Sequence, residues 1–269
     1  MIRIATWNVN SIKVRLPLVL EWLNKTEVDV LLLQELKCET AQFPEAAFTE
    51  RGYHAAVIGQ KAYNGVALLS RLPLIEQTLN RLPGAPEDEQ ARYIEAVCRD
   101  RNGGNLRIAS LYLPNGNPVN SEKYSYKLHW MARLRERAAA LLTQDQPVVL
   151  GGDFNIIPDS CDVYDPVAWR DDAAFRLPSR AAYREILHLG YVDAWKTLHW
   201  KKDQSSPGYT FWDYQAGCWK HDHGLRIDHF LLSPKAADRL CSCKVDRAPR
   251  DAERASDHTP LILELQDDL

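Results

Sequence analysis

Nine polar residues of this chain fall at the ends of apolar runs. Asn8, Glu35, Tyr112, Asn115, Asp153 and Asn155 lie at or just past the C-terminal end of strand-like segments. Asp228 opens another such segment, and Asp257 with His258 immediately precedes a last one. Four acids, one histidine, one tyrosine and three amides thus gather at strand ends. Strand ends of one sense and strand starts of the other share an edge when those strands run antiparallel, so these groups are expected to converge on one rim.

Such residue types suit phosphodiester hydrolysis. Hard Mg²⁺ takes oxygen ligands, usually one or two carboxylates plus phosphate and water. Glu35 is the candidate first ligand, with Asn8 nearby and Asp257 as a second contact. Asp153, with Asn155 beside it, is placed to align and deprotonate a water. His258, Asn115 and Tyr112 are candidate donors to the charge that develops on phosphate. Asp228 is expected to hold the other nitrogen of His258 and favour its protonated form. Each residue alone reads as an ordinary turn former or a structural pair; the combination is what points to a site. No serine or cysteine in a recognisable nucleophile elbow competes.

Strands alternating with helices must position these groups. "RIATWNV" alternates, with Ile2, Ile4, Thr6 and then Asn8 on one side. Residues 14–27 carry Leu16, Val19, Leu20 and Leu23 at helical spacing. "DVLLLQE" is apolar until Gln34, as in a strand covered on both faces. A short helix ending at Gly52 and a strand over 65–70 follow. "RYIEAVCR" and "LRIASLYLP" flank the hairpin turn "RNGG". The longest helix is expected over 123–144, with Tyr124, Leu128, Met131, Ala138 and Leu142 as its stripe. A strand at 147–150 runs into "GGDFN", where two glycines permit a tight turn or a close approach. A helix ending at Gly190 and strands in "PGYTFWDY", "IDHFLLS" and "TPLILEL" complete the reading. The pattern predicts one layered α/β domain over 1–269 with a mixed sheet or two packed sheets.

The 269 residues carry a formal net charge of −3 and include six cysteines. That balance neither announces nor excludes a nucleic-acid partner, since a local basic groove matters more. The scattered cysteines, of which only Cys241 and Cys243 are close, read as reduced thiols. With no signal-peptide pattern and no long apolar run, a cytoplasmic protein is expected. "WKHDHGLRIDH" holds His221, Asp222, His223 and His229, but H-x-H without a paired motif is weak for zinc.

"TWNVNS", "LLLQELK", "NGVALLSR", "LYLPNG", "LGGDFNI", "GLRIDHFLLS" and "SDHTPL" occur in this order from Ile4 to Leu261. Together they resemble the exonuclease III type of abasic-site (AP) endonucleases, in the endonuclease/exonuclease/phosphatase superfamily. The resemblance implies a four-layered α/β sandwich, two mixed sheets packed together and flanked by helices. It implies Mg²⁺, with Mn²⁺ able to substitute, held chiefly by Glu35, with Asn8 supporting and Asp153 and Asp257 beside it. Asp153 matches the residue acting on the attacking water, Asn155 its partner at the phosphate, and His258 the phosphate-contacting histidine oriented by Asp228. Tyr112 and Asn115 match groups gripping the scissile phosphate.

By the same resemblance, Phe211, Trp212, Leu225 and Ile227 form a pocket for the base-less sugar, although "TFWDY" also reads as core. Ser11, Lys13, Arg15, Lys37, Tyr63, Asn64, Arg92 and Lys123 are the implied backbone contacts to duplex DNA, which position without reading sequence. The implied partner is double-stranded DNA with abasic sites or blocked 3′ ends, bound by a monomer near the nucleoid. Relatives in the superfamily hydrolyse inositol phosphates, sphingomyelin or RNA with the same core residues. "NVNSIK", "LYLPNG" and "FWDYQAG" resemble the DNA-repair branch, although Phe211-Trp212-Asp213-Tyr214 departs from the Ser-Trp-Phe-Asp-Tyr of some members. A DNA-binding pseudoenzyme would have a broken catalytic position, and none of the nine is broken.

Overall fold

The computed structural model describes residues 1–76, 79–199 and 208–267. In chain order the elements are β1 (Ile2–Asn8), α1 (Ile12–Thr26), β2 (Val30–Gln34), α2 (Glu45–Thr49), β3 (His54–Ile58), β4 (Val66–Ser70), β5 (Tyr93–Arg99), β6 (Asn105–Tyr112), α3 (Glu122–Leu142) and β7 (Val148–Asp153). They continue with α4 (Leu177–His188), β8 (Val192–Asp193), α5 (Ala194–His199), β9 (Asp228–Leu232), α6 (Pro234–Ala237), β10 (Leu240–Val245) and β11 (Leu261–Leu265). One sheet has the order β10-β11-β1-β2-β4-β3 and the other β5-β6-β7-β9-β8. Both are mixed: β1 runs parallel to β2 and β6 parallel to β7, while their other neighbours are antiparallel.

Three apolar clusters define four layers. Ile2, Ile4, Val30, Leu32 and Leu68 of the first sheet meet Ile94, Ile108, Val149 and Phe230 of the second. On the first sheet's outer face, Ala5, Trp7, Leu31 and Leu33 pack under Val19, Trp22 and Leu23 of α1 and Phe48 of α2. On the second sheet's outer face, Ala109, Leu111, Val148 and Leu150 lie under Trp130 and Leu134 of α3 and Tyr183 and Ile186 of α4. Every central strand is therefore covered twice, as its unbroken apolar reading requires.

Several boundaries differ from the sequence reading. "PGYTFWDY" is no strand over its described part, which begins after Pro207; Phe211 alone makes bridges, to Leu225 on one side and His258 on the other. β3, β8 and β10 carry too little apolar alternation to be seen in sequence: β3 is mostly half-exposed, and β8 has two residues. β7 extends through Gly151 and Gly152 to Asp153, so the glycines lie inside the strand and do not turn it. In α3 the buried face is Lys127, Trp130, Met131, Leu134, Ala138 and Leu141, rotated from the expected stripe.

Candidate active site

The site is the polar end of the seam between the sheets. The inward face of β1 reads Ile2, Ile4, Thr6, Asn8, and that of β2 reads Val30, Leu32, Gln34. In the opposite sheet β7 reads Val149, Gly151, Asp153, and antiparallel β9, taken backwards, reads Leu232, Phe230, Asp228. All four faces pass from apolar to polar toward the same edge. Gln34 already crosses the seam, its Nε2 donating to Ser110 Oγ at 3.1 Å.

Gly151 lets the seam close. A Cβ there would lie 2.5 Å from Phe230 Cε1 and 2.7 Å from Leu32 Cδ1 of the facing sheet. At Gly152 it would lie 1.9 Å from the Leu111 carbonyl oxygen. The close approach is what these glycines supply. The turn itself comes after the strand, at Asn155, with φ +47°.

Asn8 stands opposite Gln34 in the parallel ladder, so Glu35 follows at the rim, with φ +51°. Asn8 Nδ2 donates to Glu35 Oε1 at 2.8 Å and to Asp153 Oδ2 at 3.0 Å, tying the two sheets' carboxylates together. Its oxygen accepts from Asn10 N at 3.0 Å. In this arrangement Asn8 aligns the carboxylates and does not offer them an oxygen. Burial works against the Glu35 charge, but Asn8 and Lys37, 2.9 Å away, hold its carboxyl below the usual range.

Asp153 and Asp228 are direct partners across β7 and β9. His258 Nδ1 lies 2.8 Å from Asp228 Oδ2, and Nε2 lies 3.7 Å from Asp153 Oδ2. Burial opposes a charged imidazole, but Asp228 and then Asp153 outweigh it, raising His258 to about 10. Burial and the nearby Asp228 push Asp153 up to about 7, against the pull of His258, Asn8 and the Asn155 N–H. A buried carboxyl with a pKa close to neutrality is well matched to general-base work.

Tyr112 stands opposite Asp153 at the end of the parallel β6–β7 ladder. Burial, then the charges of Glu35 and Asp153, hold its phenol far above the usual range, so it stays a donor. Asn115 and Asn155 meet through Asn115 Nδ2 and Asn155 Oδ1 at 3.3 Å. Asp257 sits to one side: its Oδ1 accepts from Asn10 Nδ2 at 3.1 Å, and it is not among the tightest group of ligand atoms. Asn10, which sequence reasoning passed over, thus links Asp257 and Lys37, whose Nζ donates to its Oδ1.

The anticipated DNA contacts divide into two groups. Tyr63 is 70% exposed, and Lys13 and Lys123 are exposed, while Ser11 is half-buried beside Glu35, whose carbonyl its N–H meets at 2.8 Å. Lys13 Nζ donates to Gln42 Oε1 at 2.9 Å on the surface, and the remaining four are more firmly engaged within the protein. Arg15 donates to the carbonyls of Asn10, Arg254 and Ala255 and to Tyr214 Oη, which stakes down the loop before Asp257. Lys37 pairs with Glu35 as above. Asn64 is buried and bonded to Gln60 and Gln90. Arg92 lies over the Tyr112 ring at 4.8 Å and donates to the Tyr112 carbonyl at 3.2 Å, fixing that side chain.

Of the anticipated pocket residues, Phe211, Leu225 and Ile227 share one apolar cluster with Trp169 and Phe175. The Phe211 ring is 5.0 Å from that of His258, so this cluster adjoins the site. Trp212 is elsewhere: it is fully buried, donates to Asp222 Oδ1 at 2.9 Å, and packs edge-on to Trp219. It belongs to the core, held there by its backbone N–H on the Asp257 carbonyl at 2.8 Å and by its indole bond to Asp222. Trp169 was legible only as an aromatic residue within a polar loop. His229 is also structural: buried against Arg226, it is lowered to about 4 and fixes the Ile156 carbonyl from 2.9 Å. Arg226 can only donate to His229 Nδ1, so the ring N–H is on Nε2.

Ligand atoms of Glu35, Asp153 and His258 lie within 4.8 Å of one another. With its Nε2 protonated, His258 faces this point as a donor, leaving carboxylate oxygens for the ion. Hard oxygen donors fit a hard divalent cation. A cluster of ligand atoms able to hold a cation, a buried carboxyl near neutrality and several polar donors at one rim together have the chemistry of a phosphodiesterase centre.

The chain belongs to the endonuclease/exonuclease/phosphatase family, whose model matches residues 5–258. It is 28% identical to exodeoxyribonuclease III of Haemophilus influenzae, over 98% of this chain and 100% of that one. The structure of the 3′ phosphatase NExo from Neisseria bound to a product DNA hairpin superposes with a TM-score of 0.91 at 38% identity, covering 99% and 100% of the two chains. An AP endonuclease from Archaeoglobus fulgidus gives 0.90 at 37%, with the same coverage. Among the described residues no helix is long and apolar enough to cross a membrane.

Proposed function

We propose that this protein is a Mg²⁺-dependent DNA-repair nuclease of the exonuclease III type. It cleaves the backbone of duplex DNA 5′ to abasic sites and clears blocked 3′ ends. The observation that carries this reading is the meeting of Glu35, Asp153 and His258 at the seam. The full-length similarity to an AP endonuclease and a 3′ phosphatase supports DNA as the substrate.

Glu35, with Asp153 beside it, would hold Mg²⁺, which supplies Lewis-acid stabilisation of phosphate charge. Asp153 aligns the attacking water and takes its proton. His258, kept protonated by Asp228, and the Asn115, Asn155 and Tyr112 donors receive the charge that develops on the phosphate oxygens. Phe211, Leu225, Ile227 and Trp169 present an apolar surface suited to a sugar that has lost its base. Lys13, Lys123, Ser11 and Tyr63 contact the DNA backbone.

A labelled duplex carrying one abasic analogue, incubated with and without Mg²⁺, tests this. Incision 5′ to the lesion only with Mg²⁺ is the expected result. Release of 3′-phosphate without incision would favour a second reading, a 3′-end phosphatase, which the similarity to NExo supports. Turnover of neither substrate would remove the nuclease assignment.

A further inference from the structure

Lys127 lies on the buried face of α3 and is wholly excluded from solvent. Its Nζ donates to two backbone carbonyls, that of Asn155 at 2.6 Å and that of Asn115 at 3.1 Å. These carbonyls belong to the loops that leave β7 and β6, and to the two residues whose side-chain amides meet. The rest of the junction is bonded as well. Asn155 Nδ2 donates to the Leu113 carbonyl at 2.9 Å, and Asn155 N donates to Asp153 Oδ1 at 2.8 Å.

The space around the lysine stem is closed. A Cβ at Gly116, where φ is +88°, would lie 2.6 Å from Lys127 Cδ. An apolar side chain of similar length would fill this volume without the desolvation cost of an amine. What it would lack is the donor that Lys127 gives to the Asn115 and Asn155 carbonyls. An amine donates whether charged or neutral, so the bonds do not hinge on protonation.

We infer that Lys127 is a positioning residue, tying the Asn115 and Asn155 carbonyls to one point on α3. It thereby sets the spacing at which the two side-chain amides, and through the Asn155 N–H the carboxylate of Asp153, meet the phosphate. The tether rests on geometry, while its catalytic consequence rests on the nuclease reading above.

Two measurements on Lys127→Met test it. The first is amide hydrogen exchange, expected to quicken at least about tenfold in segments 113–118 and 153–158 while β1 and β2 keep wild-type protection. The second is steady-state cleavage of the abasic duplex. The expected outcome is a kcat about ten- to a hundredfold lower, KM within about twofold of wild type, and partial recovery in Lys127→Arg. In an Asn115→Ala/Asn155→Ala background the same substitution should lower kcat by clearly less than it does in the wild type, because the two side-chain amides it positions are gone while the carbonyls and the route to Asp153 remain.

Wild-type exchange in both segments, uniformly faster exchange through β1 and β2, or full additivity with the asparagine variants would each overturn the inference. If the methionine variant does not fold, Lys127→Gln, which keeps one donor nitrogen, carries the same measurements. Failure of the wild type to cleave DNA would defeat the nuclease reading alone, and the exchange data would still decide the tether.

Discussion

Asp153 and Asp228 face each other residue for residue across β7 and β9, and His258 bridges them, 2.8 Å from one and 3.7 Å from the other. Like charges on paired strand positions ordinarily repel; the imidazolium makes the pair tolerable. His258 is raised in the fold, so the stability it contributes is complete below its ordinary pKa of 6.5 and is lost as pH rises through about 10. Asp153 is also raised, from 3.8 to about 7, so the fold loses stability through it as pH climbs across that interval. In metal-free protein, the NMR titration of the His258 ring should have its midpoint near 10. Asp228→Asn should bring it down, because Asp228 is the largest favourable cause. A wild-type midpoint near the ordinary 6.5 would contradict the bridge.

Asp153→Asn separates chemistry from folding. The amide keeps the shape and the bond from Asn155 N, but cannot take a proton. Cleavage should fall by roughly 10²–10⁴, the usual range for loss of a general base. DNA binding should be nearly unchanged, and the melting temperature within a few degrees of wild type, since relief from burying the Asp153 charge is offset by loss of the acceptor for Asn8 Nδ2. A variant that cleaves at wild-type rates would remove Asp153 from the role given to it.

The two glycines of β7 should respond unequally to alanine. At Gly151 the obstacles are ends of side chains, Phe230 Cε1 and Leu32 Cδ1, which can shift; overpacking of this kind costs about 1–3 kcal/mol. At Gly152 the obstacle is the backbone carbonyl of Leu111 in the adjoining strand, with φ +154° adding to the strain. Urea unfolding should therefore show a larger loss for Gly152→Ala than for Gly151→Ala. The reverse order would mean that the sheets, and not β6 and β7, set the limit.

How much of this was readable in the sequence follows from what makes a signal. Asn8, Asp153 and Asp228 were visible because alternating faces turn polar at strand ends, and Glu35 because it directly follows the apolar run of β2; these local patterns carry through to the seam. The mixed topology was visible from the "RNGG" hairpin, which joins β5 and β6. Lys127 was invisible, because a lysine in an amphipathic helix reads as solvent-facing and only the tertiary contact with two loops buries it. Trp212 reads as a pocket residue and Arg92 as a DNA contact for a related reason: the sequence gives no account of Asp222 or of the Tyr112 ring, which claim them. "PGYTFWDY" has strand composition, but Phe211 pairs singly on each side and no ladder grows from it.

Glu35 offers a test of the metal site that needs no turnover. A cation that binds only the folded state stabilises it, by about 2.7 kcal/mol at a hundred times its dissociation constant. Added Mg²⁺ should therefore raise the melting temperature of the wild type, and a chelator should reverse the rise and abolish cleavage. Glu35→Gln keeps the bond to Asn8 but removes the charge, and it frees Lys37 from its 2.9 Å partner. Its melting temperature should show little response to Mg²⁺, and cleavage should require far more of the ion. Asp257→Asn, whose carboxylate stands aside beside Asn10, should keep most of the thermal response. If Glu35→Gln responds to Mg²⁺ as the wild type does, the ion is held elsewhere, and the cluster at the seam is an arrangement of charges without a metal.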